Sequence, residues 1–307
     1  MMFRTLCLCL LILSGLFITT TSSHDIVCYI REELIPTGDA NATERNEFLS
    51  SLPDEKCTRY IFLVENFSRR GIEGYLEYLP TFKERKPKAE LGIMISRYTK
   101  YYLAMYGFKF AELYFTGIHF YWDERSGNPY TASQRKELVE HTRRKYSNLK
   151  MTVSQAVECI PRFSEPLDTS KVAMDVDLTI VHVKTFKDMV PKFLEDPEMC
   201  VRPLLALGIP KEKIVIGLQE VTGDRGRNLA QMKENCHDEP VREILTDIST
   251  KLSCMVKFTS LQGVMVWSIS TDDYTGNVCK MGKYPFIEYY QNANFQSCTA
   301  FKKSAQK

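Results

Sequence analysis

The chain has 307 residues, enough for one large domain with a sizeable core, and 40 basic against 38 acidic residues leave a formal net charge of +2. That near balance carries no electrostatic pointer to a partner, and nucleic acid is not an expected one. No Pro-, Gly- or Ser-rich linker, low-complexity tract or close internal repeat divides the sequence, so a single domain is the economical organisation.

Residues 1–23 open with Arg4, continue as an apolar run from Leu6 to Ile18 and end in the small residues Thr19 to Ser23. This is the layout of a secretory signal peptide, with Thr21 and Ser23 suited to precede the cut. The run is short for a membrane span, and no later stretch is long and apolar enough to cross a bilayer. The expectation is a secreted, extracellular protein with one domain over residues 24–307 and no membrane span once the signal is removed. Cys28, Cys57, Cys159, Cys200, Cys236, Cys254, Cys279 and Cys298 remain in it. An even set in an exported chain argues for disulfides, and the absence of a Cys-x-x-Cys pair argues against zinc. Asn41-Ala-Thr43 and Asn66-Phe-Ser68 are glycosylation sequons usable in that compartment. No metal and no cofactor are expected.

From there, strand-length apolar runs alternate with longer segments of helical spacing. Strands are expected over Asp25–Ile30, Arg59–Val64, Leu91–Ser96, Ala111–Glu124, Leu149–Ser154, Ala173–Lys184, Lys213–Leu218 and Gly263–Ile269. Helices are expected over Glu44–Leu52, Gly71–Leu79, Tyr101–Glu112, Thr131–Tyr146 with a Ser/Thr start, Thr185–Leu207 with breaks at Pro191, Pro197 and Pro203, and Pro240–Lys251. That rhythm implies an α/β fold with a parallel sheet, and eight strands favour closure into a (β/α)8 TIM barrel. The fourth strand organises the chemistry. Side chains alternate across a strand, so Gly117, His119, Tyr121 and Asp123 share one face, and Ile118, Phe120 and Trp122 share the other.

The stretch Phe115-Thr-Gly-Ile-His-Phe-Tyr-Trp-Asp123 resembles the fourth-strand signature of glycoside hydrolase family 18, the chitinases, which reads Asp-Gly-x-Asp-x-Asp-x-Glu. Gly263-Val-Met-Val-Trp-Ser-Ile-Ser-Thr-Asp-Asp-Tyr-Thr-Gly276 resembles the family's eighth strand and following loop more closely. Val27-Cys-Tyr29, Cys57-Thr58 and Pro210 to Gly217 are similar to its first strand, its second strand and its approach to the seventh. The resemblance implies a disulfide between Cys28 and Cys57. With only Gln219 to Thr259 between the last two strands, it also implies a barrel without the small α+β insertion domain of many chitinases.

The departures fall on the chemistry. In the family the terminal Glu protonates the glycosidic oxygen while the substrate's acetamido group attacks, helped by the preceding Asp. Here Asp123 stands at the Glu position and Tyr121 at the supporting Asp; His119 and Thr116 occupy the earlier two Asp positions. Asp123 is one methylene shorter, so its oxygens fall short by roughly 1 Å, and such a displacement can cost on the order of 100-fold. Tyr121 is the heavier loss, because a phenol with a pKa near 10 cannot stabilise the positive charge that develops on ring closure. Lys184 and Thr185 stand where the family has Tyr and Asp on the sixth strand. Val221 and Ser96-Arg97 replace a Tyr and a Gly-Gly pair. Glu124 follows Asp123 directly and points to the other face.

The resemblance therefore implies a catalytically inactive chitinase-like protein. Trp267 matches the family Trp whose indole face stacks on a sugar, and it is equally suited to core packing. Tyr29, Tyr98 and Tyr121 would extend an aromatic lining. Lys184 would need a partner, for which Asp123 is a candidate. Three readings follow: a weak lectin for chitooligosaccharides or other N-acetylglucosamine-containing glycans; a secreted scaffold for an extracellular protein partner; and a residual hydrolase using Asp123.

Overall fold

The computed structural model describes residues 24–31, 50–53, 56–63, 79–80, 82–85, 88–95, 115–122, 130–161, 164–165, 167–184, 195–219, 239–269, 272–273, 276–277, 279–291 and 298. The signal segment, the sequons at Asn41 and Asn66, residues 71–78 of the expected helix Gly71–Leu79, the expected helix Tyr101–Glu112, Tyr98, Asp123, Glu124, Thr185, Val221 and residues 220–238 lie outside that set.

Eight parallel strands close into a barrel, each paired with its sequence neighbours and the last with the first. They are β1 Asp25–Arg31, β2 Arg59–Leu63, β3 Glu90–Ile95, β4 Gly117–Tyr121, β5 Thr152–Cys159, β6 Leu178–Lys184, β7 Ile214–Gln219 and β8 Gly263–Val266. The described helices include α1 Ala132–Lys145, α2 Arg202–Ala206, α3 Glu239–Thr259 and α4 Pro285–Gln291.

Alternation along each strand separates two buried layers. Val27, Tyr29, Ile61, Leu63, Met94, Leu178, Ile180, Val215 and Met265 fill the barrel interior. Ile26, Tyr60, Phe62, Ile93, Ile118, Phe120, Val153, Val181, Ile216, Val264 and their neighbours form the outer layer, which Val139, Ile248, Leu252, Met255 and Ile287 from the helices join. Closure between β7, β8 and β1 depends on two glycines. A Cβ on Gly217 would lie 2.1 Å from the Met265 carbonyl oxygen, and one on Gly263 would lie 2.0 Å from that of Asp25. Only a residue without a side chain lets these strands approach so closely.

α1 begins where its sequence signals a start. Thr131 accepts a hydrogen bond from the Gln134 backbone N–H, and the Gln134 side chain accepts one from that of Thr131, a reciprocal capping box. Arg143, Arg144 and Lys145 crowd the last turn, where the negative end of the helix dipole lies. Thr131→Ala is expected to lower stability by about 1 kcal/mol. Urea unfolding checks this, and an unmoved midpoint would assign the helix start to packing alone.

Several boundaries differ from those expected. β5 was expected over Leu149–Ser154, but Ser147–Leu149 is a 3-10 turn, Lys150 takes a left-handed φ of 49°, and the strand runs on to Cys159. β6 starts at Leu178 rather than Ala173; the preceding Asp177 accepts from the Val153 backbone N–H and pairs with Arg143. Pro197 opens a 3-10 turn ahead of α2, a first-turn position where its missing N–H costs no hydrogen bond. α3 extends beyond Lys251 to Thr259, and α4 was not foreseen.

The Cys28–Cys57 disulfide is present and ties β1 to the approach of β2. Cys159–Cys200 holds the end of β5, and Cys254–Cys298 fastens α3 to the C-terminal segment. Cys279 is also disulfide-bonded. No described helix is long and apolar enough to cross a membrane.

Candidate functional site

The inward faces of β1, β4, β5 and β6 place polar residues among the apolar ones in the barrel interior. Tyr29 and His119 are completely buried, as is His182. The Tyr29 hydroxyl lies 2.7 Å from His119 Nε2 and 3.0 Å from His182 Nε2, so one phenol joins two imidazoles. On its other side, His119 Nδ1 lies 2.9 Å from Ser154 Oγ. The Ser154 hydroxyl can donate to the Ile118 carbonyl at 3.4 Å, which assigns the chain of donors as His182 to Tyr29 to His119 to Ser154. Every link then has one donor and one acceptor, and His119, which donates at Nδ1 and accepts at Nε2, is neutral.

Burial away from water and the neighbouring His182 hold the His119 pKa well below that of a free imidazole. Burial, then the nearby Tyr121, pushes the Tyr29 phenol well above its ordinary value. His119 already uses both ring nitrogens and has no proton to offer a ligand. Tyr29, expected in the aromatic lining, presents no exposed face: it packs in the core with its ring centroid 4.8 Å from Trp267.

Above this layer the site becomes half-buried. Tyr121 donates to Glu158 Oε1 at 2.7 Å, and Lys184 Nζ pairs with the same oxygen. The Glu158 and Lys184 side chains are each 15% exposed. Lys184 therefore has the partner its position demands, Glu158 on β5; Asp123, the candidate from sequence, lies outside the described residues. Register places Glu158 beside His182, and Lys184 is two residues further along β6, so the pair lies just beyond the buried histidine towards the strand ends. Trp267 follows β8, with its ring 5.2 Å from His182; Tyr121 is 5.8 Å from the same ring on another side. Trp267 is half-buried, and its Nε1–H is sequestered without a hydrogen-bond partner among the described residues.

Thr116 plays a different part. It precedes β4, accepts from the Leu91 backbone N–H at 2.9 Å and ties β3 to β4 at the end opposite the mouth. Trp122 faces outward, donates to Gln155 and packs on Phe120. No group of three or more metal-capable side chains occurs among the described residues.

Sequence reading missed Ser154, Glu158 and His182. His182 was accessible to the alternation rule applied to β4, since it sits two residues before Lys184. Glu158 was lost with the boundary of β5.

No family model matches the chain, and no curated protein sequence matches it. Solved structures do. A Group IV chitinase of Ostrinia furnacalis in complex with allosamidin has a TM-score of 0.63 at 14% identity, covering 88% of this chain and 98% of that one. Human YKL-39, described as a pseudo-chitinase with retained chitooligosaccharide binding properties, has a TM-score of 0.60 at 13% identity over 88% of this chain and 99% of its own. An immunomodulatory active chitinase from Trichuris suis has a TM-score of 0.57 at 15% identity, covering 88% and 100%. The chain has the (β/α)8 barrel fold that active chitinases and a pseudo-chitinase share.

Proposed function

We propose that this chain is a secreted, non-hydrolytic chitinase-like protein whose barrel mouth binds chitooligosaccharides or related N-acetylglucosamine-containing glycans. The observation that carries the binding half is Trp267: a half-buried indole that follows β8 at the mouth, beside the His182 ring. The part of the indole that is not buried can cover the apolar face of a pyranose, the contact by which an aromatic ring holds a sugar. The retained chitooligosaccharide binding of human YKL-39, which has the same fold, supports this reading.

The non-hydrolytic half rests on what occupies the fourth strand. Glycoside cleavage needs a proton donor beside the leaving oxygen and a group that stabilises developing positive charge. On the inner face of β4, His119 is neutral and fully engaged, and the Tyr121 phenol donates its hydrogen bond to Glu158. Glu158 Oε1 faces two donors, an arrangement suited to holding a carboxylate in place rather than delivering a proton. The disulfides support an oxidising, extracellular compartment.

The test is chitotetraose titration followed by tryptophan fluorescence. The chain has two Trp residues; Trp122 is buried on the outer face of β4, so a saturable quench reports on Trp267. Trp267→Ala is expected to weaken binding, measured by calorimetry, by at least about tenfold. Turnover of a fluorogenic chitobioside should not exceed the blank; turnover abolished by Asp123→Asn would restore the residual-hydrolase reading. Absence of any saturable binding would remove the lectin reading and leave the protein-scaffold one.

A further inference from the structure

We infer that Glu158, together with Lys184, is the polar anchor of the barrel mouth, binding one hydroxyl of a neutral sugar that accepts from the Lys184 ammonium and donates to Glu158 Oε2. This rests on the glycan-binding reading above and assigns its polar contact to β5 and β6 instead of the fourth strand.

The argument follows from which atoms are occupied. Tyr121 and Lys184 both approach Oε1 of Glu158. Oε2 has no partner among the described residues, and Lys184 makes no described contact other than that one pair, although an ammonium carries three donors. Both side chains are mostly withdrawn from water, at 15% exposure, yet are not sealed. Among the described residues, an acceptor and a donor thus remain unused side by side, within the layer that Trp267 and Tyr121 flank around His182. A hydroxyl is the simplest group that complements both, since it donates once and accepts at its lone pairs. Charge selects the ligand class: the pair sums to zero, so a ligand carboxylate drawn to Lys184 meets Glu158, and a ligand ammonium drawn to Glu158 meets Lys184. A neutral polyol pays neither repulsion. Tyr121 fixes the Glu158 rotamer, so the acceptor is oriented before the ligand arrives.

Calorimetric titration of the secreted protein with chitotetraose tests this, with a melting curve for every variant. Glu158→Gln keeps an acceptor for Tyr121 and Lys184 but replaces one carboxylate oxygen with a donor. It is expected to weaken binding about tenfold to a hundredfold, the range for losing a hydrogen bond to a charged group. Should an unpaired Lys184 unfold that variant, the doubly neutral Glu158→Gln/Lys184→Gln serves the same comparison. Affinity within twofold of the parent in a folded variant overturns the assignment and leaves the glycan reading standing. Failure of the parent to bind removes both. The deacetylated, cationic tetramer is expected to bind the parent no more tightly than chitotetraose, and tighter binding would overturn the neutral-ligand class.

Discussion

Tyr29→Phe is expected to destabilise the barrel by roughly 2–6 kcal/mol, because the deleted oxygen serves two buried groups at once. Its hydroxyl donates to His119 and accepts from His182, and all three side chains are fully buried. Each imidazole nitrogen left without a partner forfeits about 1–3 kcal/mol of desolvation that nothing repays. Phe offers little to offset this, since it keeps the same ring and only lacks the oxygen. Urea unfolding at neutral pH measures the loss, and a shift below about 0.5 kcal/mol would mean that the hydroxyl is dispensable. A double-mutant cycle with His119→Leu separates the bond from the residue: with both partners apolar, the combined loss should be well below the sum of the single losses. Chitotetraose affinity provides the functional contrast. Tyr29 lies beneath the mouth, so folded Tyr29→Phe protein should lose much more stability than binding.

The barrel was legible because its outer layer repeats a simple rule. Apolar runs of strand length recur between helical segments, and the alternation of β4 placed His119 and Tyr121 inward and Phe120 and Trp122 outward, as found. The Cys28–Cys57 bridge came with the family resemblance. What sequence could not supply was the pairing of inward polar residues across strands. Tyr29 reads as an aromatic lining residue until His119 and His182 are seen on either side of its hydroxyl, because residues 29, 119 and 182 meet only through barrel closure. Glu158 failed for a local reason: the 3-10 turn at Ser147–Leu149 delays β5, and an expected strand ending at Ser154 leaves Glu158 outside the barrel. The charge of Lys184 inside the mouth signalled the missing carboxylate without locating it. A buried charge demands a partner but does not say which strand provides it.

Acid should weaken this fold earlier than its surface ion pairs would. In the folded barrel His119 resists protonation, first because it is buried and then because His182 lies beside it; in the unfolded chain it titrates near 6.5. Above that value neither state carries the proton, and the neutral hydrogen-bonded arrangement contributes its full stability. Below it the unfolded chain gains a proton that the folded one refuses, so the stability of the fold declines as pH falls, at up to about 1.4 kcal/mol per pH unit for this one group. Two units of acidification then remove up to about 3 kcal/mol. Among the described residues, the groups facing the imidazole layer include the hydroxyls of Tyr29 and Ser154, the second imidazole of His182 and, beyond it, Tyr121 and the Glu158–Lys184 pair. Among the described residues, a protonated His119 therefore has no carboxylate in direct contact to offset its charge. Carboxylates held ionised by a partner respond lower: the Arg202 guanidinium bonded to Asp196 keeps that carboxyl below its ordinary value, so its contribution persists until more acidic pH. Urea unfolding between pH 7 and 4.5 isolates the histidine window. The slope should diminish by about one proton in His119→Gln, and equal slopes in parent and variant would assign acid sensitivity to other groups.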